Sequence, residues 1–278
     1  MTTAQIKHMP VDVAEGSTHS ADGTRICYRR LGRGPAVVFV HGSVSTHTDW
    51  MPVARLVADR FTCFAMDRRG RAKSGEGVGP YSIEREYEDI EAVLAVAKAE
   101  TGAEAALAAH SYGAICALGS AMRHPVPRLV LYEPPLPVGG LIAGEYLPPY
   151  VAAIEQGDVD KALELGLANF PRLHAKGIAA LRASKAWPRL RVMAKSWIRE
   201  LVEMDAHSPD VEPYRALSCP SLLLAGSISP EHPMLDAARA LAGVLPGVRF
   251  EWLPGQGHGG TRGAPELVAR LIGEFLAG

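Results

Sequence analysis

The chain alternates between short runs that are apolar throughout and longer stretches with apolar residues at helical spacing. AVVFV (36–40), FTCFAM (61–66), AALAAH (105–110), RLVLY (128–132) and SLLLAG (221–226) are continuous apolar runs of strand length. Such runs belong to strands covered on both faces, as in a parallel sheet with helices packed around it. Between and after them, IEREYEDIEAVLAVAKAE (83–100), a small-residue stretch from Ser111 to about Arg123, residues 234–243 and PELVARLIGEFLAG (265–278) read as helices, and VRFEWL (248–253) as a further strand. Near the start, STHS and TRICYRRL flank Ala-Asp-Gly (21–23), which signals a hairpin. The 16 residues before it read as a loose arm.

The alternation breaks between Leu136 and about Tyr214, where no strand is evident. That segment holds helical stretches such as DVDKALELGLANF (158–170) and a longer one ending near Met204, and proline-rich EPPLP and SPDVEP bound it. The pattern predicts an α/β fold: a doubly wound, mostly parallel sheet built from residues 1–135 and 215–278, with a helical cap (136–214) inserted after strand six.

Composition narrows the function classes. Of 278 residues, 47% are hydrophobic and 21% charged, enough apolar material for a substantial core. A formal net charge of -1 gives no electrostatic reason to expect nucleic acid or an anionic membrane surface as partner, which leaves a small-molecule substrate. Cys27, Cys63, Cys116 and Cys219 lie far apart with no metal-binding spacing and read as small buried hydrophobes. Neither a metal nor a cofactor is implied. The first 16 residues lack the apolar core of a secretory signal, and no window approaches the ~18 apolar residues of a membrane span. The expectation is a reduced, cytoplasmic chain.

AHSYGA (109–114) carries the most chemical information, because it joins a buried strand to a helix. A serine there sits on a tight strand-to-helix turn that needs small residues two positions to either side, and Ala109 and Gly113 meet that need. The turn lifts the hydroxyl of Ser111 above the sheet and sets the following N–H groups at a helix N-terminus, where negative charge is favoured. An ordinary serine helix cap is the plainer alternative. After the last strand, PGQGHGG places His258 on a glycine-rich loop, and an imidazole shuttles protons near neutral pH. Ten histidines are present, so the order matters more than the residue type: serine first, then a histidine in the loop after the last strand.

HGS (41–43), DRRGRAKSG (67–75), AHSYGA (109–114), LVLYEPP (129–135), LLLAGSISP (222–230) and LPGQGHGG (253–260) stand in the order found in α/β-hydrolases. The chain resembles the branch of that superfamily holding small soluble esterases, haloperoxidase-like proteins and C–C hydrolases. The resemblance implies Ser111 as nucleophile, His258 as base, and an oxyanion hole from the backbone N–H groups of Ser43 (or Val44) and Tyr112. It departs from the family in two places. Family elbows most often read GHSxGG, whereas Ala109 and Ala114 replace the outer glycines. The usual catalytic acid follows the next-to-last strand, where this chain has Ile228 and Ser229. Glu133 is the candidate replacement: it ends the strand two along from Ser111 on the same edge, and some haloalkane dehalogenases carry a Glu acid at the corresponding strand end. A structural carboxylate fixing the EPP turn is the alternative for Glu133, and Glu231 and Asp236 are more distant candidates.

The remaining polar and aromatic residues have more modest expectations. The arginines of DRRGR read as structural rather than as a grip on an anionic substrate, and His41 and His110 as braces of their turns. His47, Trp50, Tyr112, Trp197 and Met204 are candidates to face a substrate pocket. The expected activity is cofactor-independent hydrolysis of an ester, thioester, lactone or similar acyl bond through an acyl-enzyme. The vacancy at Ile228 and Ser229 keeps a rival open: a non-hydrolytic cyclase, lyase or isomerase of secondary metabolism on the same fold, or a ligand-binding homologue without turnover.

Overall fold

A computed structural model describes residues 12–278. The loose-arm expectation for residues 1–11 lies outside the described residues, and from Val13 onward it is incorrect. Strand β1 (Val13–His19) pairs antiparallel with β2 (Arg25–Gly32), Val13 standing opposite Leu31. An edge strand is held by its backbone ladder and shows much of its side-chain surface to water, so β1 carries little apolar signal at VAEG.

Six more strands follow: β3 (Ala36–Val40), β4 (Thr62–Met66), β5 (Ala106–His110), β6 (Leu129–Tyr132), β7 (Ser221–Gly226) and β8 (Arg249–Leu253). They complete one eight-stranded sheet in the order β1-β2-β4-β3-β5-β6-β7-β8, with every pair from β4 to β8 parallel. The expected doubly wound, mostly parallel sheet is therefore what the chain forms. Its strand order reverses between β3 and β5, and in open α/β sheets the crevice beyond the carboxyl ends at such a reversal is where ligands bind. His41 and Ser111 directly follow those two strands.

The uniformly buried strands are explained by helices on both faces. Val37 and Phe39 of β3 pack with α1 (Met51–Val57) and the C-terminal helix, whereas Ala36, Val38 and Val40 pack with α2 (Ile83–Thr101) and α3 (Tyr112–Arg123). Each fully buried Val or Phe contributes roughly 1.5–3 kcal/mol relative to exposure. Sequence periodicity did not reveal α1, which is only seven residues long and starts with a proline in its first turn.

Four helices lie between β6 and β7: α4 (Leu147–Glu155), α5 (Val159–Asn169), α6 (Ala175–Arg182) and α7 (Trp187–Ala206). The fold closes with α8 (Asp236–Val244), the single turn α9 (Gly260–Gly263) and α10 (Pro265–Ala277). Among the described residues no helix is long and apolar enough to cross a membrane.

Asp205, near the end of α7, ties the entry of the insertion to its longest helix. Its carboxylate accepts the N–H groups of Ile142, Ala143 and Gly144 at 2.7, 2.9 and 2.8 Å. Charge-assisted bonds of this kind are roughly twice as strong as neutral ones. Asp205→Ala is expected to destabilise the fold by about 2–3 kcal/mol, read from the midpoint of urea unfolding. An unchanged midpoint would show that this loop is held by other contacts.

Candidate active site

Ser111 has φ 57° and ψ -131°, a backbone conformation that costs a non-glycine residue of order 1–3 kcal/mol. Its neighbours make that turn unavoidable. Gly113 lies so close to β3 that a Cβ there would meet the carbonyl oxygen of His41 at 2.3 Å. A Cβ on Gly42 would lie 2.7 Å from the Cβ of Ser111. The Ser111 side chain does not cap α3. Its hydroxyl lies 2.9 Å from Nε2 of His258, so the ordinary helix-cap alternative is excluded.

The other ring nitrogen of His258, Nδ1, lies 2.7 Å from Oε2 of Glu133. Carboxylates accept, so Nδ1 carries the proton and Nε2 presents its lone pair to the Ser111 hydroxyl. Glu133 is fully buried and also leaves its strand through a positive φ of 45°. Its second oxygen accepts the N–H of Gly226 at 2.6 Å and the hydroxyl of Ser229 at 2.5 Å. Strands β5 and β6 are hydrogen-bonded neighbours, so Glu133 is one strand from Ser111 rather than two. Ser229, one of the two residues at the position where the resemblance leads one to look for an acid, instead donates to the Glu133 carboxylate at the end of β6. Glu231 instead pairs with Arg239, and Asp236 with His232.

Two residues position the His258 loop, and sequence reasoning missed one of them. The Tyr132 hydroxyl, at the end of β6, donates to the carbonyl of Gly257 and accepts the N–H of Gly260 at 3.0 Å. Nε2–H of His110 donates to the carbonyl of His258 at 2.8 Å. The only available signal for Tyr132 was its place one residue before Glu133.

Ser111 and His258 form one wall of a cavity of about 240 Å³. Ile142, Leu167, Phe170, Trp197 and Met204 of the insertion face them, and no Lys or Arg lines it. Trp197 and Met204 thus lie where a pocket role requires. His47 and Trp50 do not. The Trp50 indole is fully buried, donates to the carbonyl of Val40 at 2.9 Å and packs on Phe39. The His47 ring is turned onto Asp67 at 2.8 Å. The Tyr112 side chain is directed away as well, its hydroxyl 3.1 Å from that of Tyr81. As the first residue of α3, Tyr112 nevertheless has no intrahelical acceptor for its N–H. Ser43 and Val44 also line the cavity, and among the described residues no protein acceptor takes their N–H groups. Among the described residues no cluster of three or more His, Cys, Asp or Glu side chains could hold a metal.

The architecture agrees with known proteins. A model of the alpha/beta hydrolase family matches residues 37–271, and the chain belongs to that family. A 2-(acetamidomethylene)succinate hydrolase from Mesorhizobium japonicum is 28% identical over 260 residues, covering 89% of this chain and 90% of that one. Among solved structures, an alpha/beta hydrolase from Sphaerobacter thermophilus is similar with TM-score 0.82 and 29% identity, over 94% of this chain and all of the other. An esterase from a Rhodococcus species shares the fold at TM-score 0.75 and 21% identity, over 97% and 99% of the two chains. By family and relatives the chain is a hydrolase in the general sense.

Two histidines behind the site are held neutral. Burial, reinforced by the Arg68 guanidinium, lowers the His41 pKa well below the ordinary imidazole value. Burial, reinforced by the adjacent His258, does the same for His110. A base with a depressed folded-state pKa gains its proton on unfolding. Its stabilising contribution is therefore present above the ordinary histidine pKa of about 6.5 and is lost as pH falls below it. Unfolding free energy is expected to fall between pH 7 and pH 5 by up to about 1.4 kcal/mol per pH unit for each of these histidines. The slope should diminish in His110→Gln, measured by urea unfolding at each pH, and a slope unchanged by that substitution would contradict it.

Proposed function

We propose that this chain is a cofactor-independent serine hydrolase acting on an ester, thioester, lactone or related acyl bond of a small molecule. One observation carries the reading: a continuous chain of hydrogen bonds from Glu133 through His258 to Ser111, opening into an apolar cavity. The Ser111 oxygen attacks the substrate carbonyl while its proton passes to Nε2 of His258. Glu133 stabilises the imidazolium so formed and fixes its orientation. The N–H groups of Ser43 and Tyr112 receive the oxyanion. The imidazolium then protonates the leaving group, and a water molecule activated by the same histidine releases the acyl group from Ser111. The Glu133 carboxylate beside His258 supports the hydrolytic reading over the non-hydrolytic one.

The lining favours an uncharged, apolar acyl group, because a buried anion without a partner is strongly disfavoured and no cation lines the cavity. The Mesorhizobium relative is named for a succinate derivative, which this lining does not match. A second cavity of about 420 Å³ shares Ser43, Val44, Leu167 and Leu181 with the first and is edged by Thr46, Thr48, Arg189 and Arg262. We assign the leaving group to that more polar side. Residues 136–214 act as the lid that sets acyl shape.

A fluorophosphonate probe is expected to label the wild-type protein rapidly and to leave Ser111→Ala unlabelled. On p-nitrophenyl esters of neutral acyl chains, Ser111→Ala should lose about 10⁴-fold or more in kcat, and Glu133→Gln about 10²–10⁴-fold, both with native circular dichroism. Ser111→Ala retaining near-wild-type turnover would remove the assignment.

A further inference from the structure

The arginines of DRRGR do not touch the cavity, yet one of them reaches both halves of the oxyanion hole from behind. Arg68 is fully buried, as are both carboxylates that hold it. Its guanidinium donates to Glu86 of α2 at 2.8 and 3.1 Å and to Glu200 of α7 at 2.7 Å. Burial works against the charge, but Glu200 and Glu86 outweigh it and raise the Arg68 pKa well above its ordinary value. This permanent cation has one further acceptor, the carbonyl of Gly42 at 3.1 Å. Nδ1–H of His41 donates to the same carbonyl at 2.8 Å, and the backbone N–H of Arg68 donates to the other ring nitrogen of His41 at 3.1 Å. The guanidinium also lies 4.7 Å over the ring of Tyr112.

The geometry points to Arg68 as a positioning residue for the oxyanion hole, acting through the Gly42–Ser43 peptide. This inference rests on the serine-hydrolase reading above. The C=O and N–H of one trans peptide unit point in opposite directions, and the one cis bond among the described residues is elsewhere. With the Gly42 carbonyl drawn back onto Arg68 and His41, the Ser43 N–H projects toward the opposite side, where Ser43 lines the cavity and Gly42 abuts Ser111. Ser43 is thereby the donor whose direction Arg68 and His41 control. Hydrogen bonds to the carbonyl also polarise the peptide and make its N–H a stronger donor, an effect enhanced where water is excluded. Because Glu200 belongs to α7, which also carries Trp197 and Met204, the same guanidinium joins the roof of the acyl cavity to the oxyanion turn.

The test compares wild type with Arg68→Lys, which keeps the charge but loses the planar fork. Active sites are counted by fluorophosphonate titration, a p-nitrophenyl ester is the substrate, and a trifluoromethyl ketone of matching acyl chain mimics the oxyanion. Removal of an oxyanion donor costs about 10²–10³-fold, and displacement should cost about 10–100-fold. The expected result is that fall in kcat per titrated site with KM little changed, and a matching rise in the ketone's inhibition constant. Unchanged kcat and ketone affinity, with only a lower melting temperature, would mean a merely structural role and would overturn the inference. Should Arg68→Lys fail to fold, Arg68→Met combined with Glu86→Gln strands no carboxylate, since Glu200 keeps Arg71 at 2.5 Å. The same paired losses are expected of it, and wild-type kinetics would overturn the inference. A wild-type protein that is neither labelled nor active would instead overturn the serine-hydrolase reading and this inference with it.

Discussion

The arrangement around Ser111 depends on how closely the ends of β3 and β5 approach each other. Gly42 and Gly113 face each other's strands at distances that leave no room for a Cβ. That approach forces Ser111 into its positive-φ turn, and Val44, in the turn after β3, and Glu133, directly after β6, have positive φ as well. Three non-glycine residues in a costly conformation along one sheet edge are sustained only because the core beneath them is closely packed on both faces. Strained turns then do what relaxed ones could not. They raise the hydroxyl, expose the N–H groups and direct a carboxylate across to the histidine loop.

Polar side chains beneath that edge hold the groups that bear on Ser111. Ser229 and the N–H of Gly226 satisfy one oxygen of Glu133 and leave the other for His258. Tyr132 and His110 fix the loop that carries His258. Arg69 is spent on Asp89 and Asp22, and Arg71 on Glu200 and Ser196, so the arginine-rich loop is an internal brace instead of an anion site. The placement of the Glu133 carboxylate beside His258 is thus the outcome of a local network and not of one residue.

Much of this was legible in the sequence because parallel strands declare themselves. AVVFV coincides with β3 to the residue, and the break after RLVLY marks where the helical insertion begins. Ser111, His258 and Glu133 were legible because strand ends in such a sheet share one edge. The spacing of β5 and β6 was misjudged because strand order in a sheet is not written along the chain. His47 and Trp50 follow HGS so closely that a pocket role looked natural, but proximity in sequence does not say which side of a turn a side chain takes. The edge strand β1 and the short helices α1, α4 and α6 carry too little periodicity to stand out.

The central claim is that Glu133 fixes the His258 ring with its proton on Nδ1. Nitrogen-15 NMR of histidine-labelled protein reads this directly, with the His258 signals identified by their loss in a His258→Gln variant. The account predicts a neutral ring protonated at Nδ1 and unprotonated at Nε2 in the wild type, and a changed tautomer balance in Glu133→Gln. A ring protonated at Nε2, or one indifferent to Glu133→Gln, would contradict it.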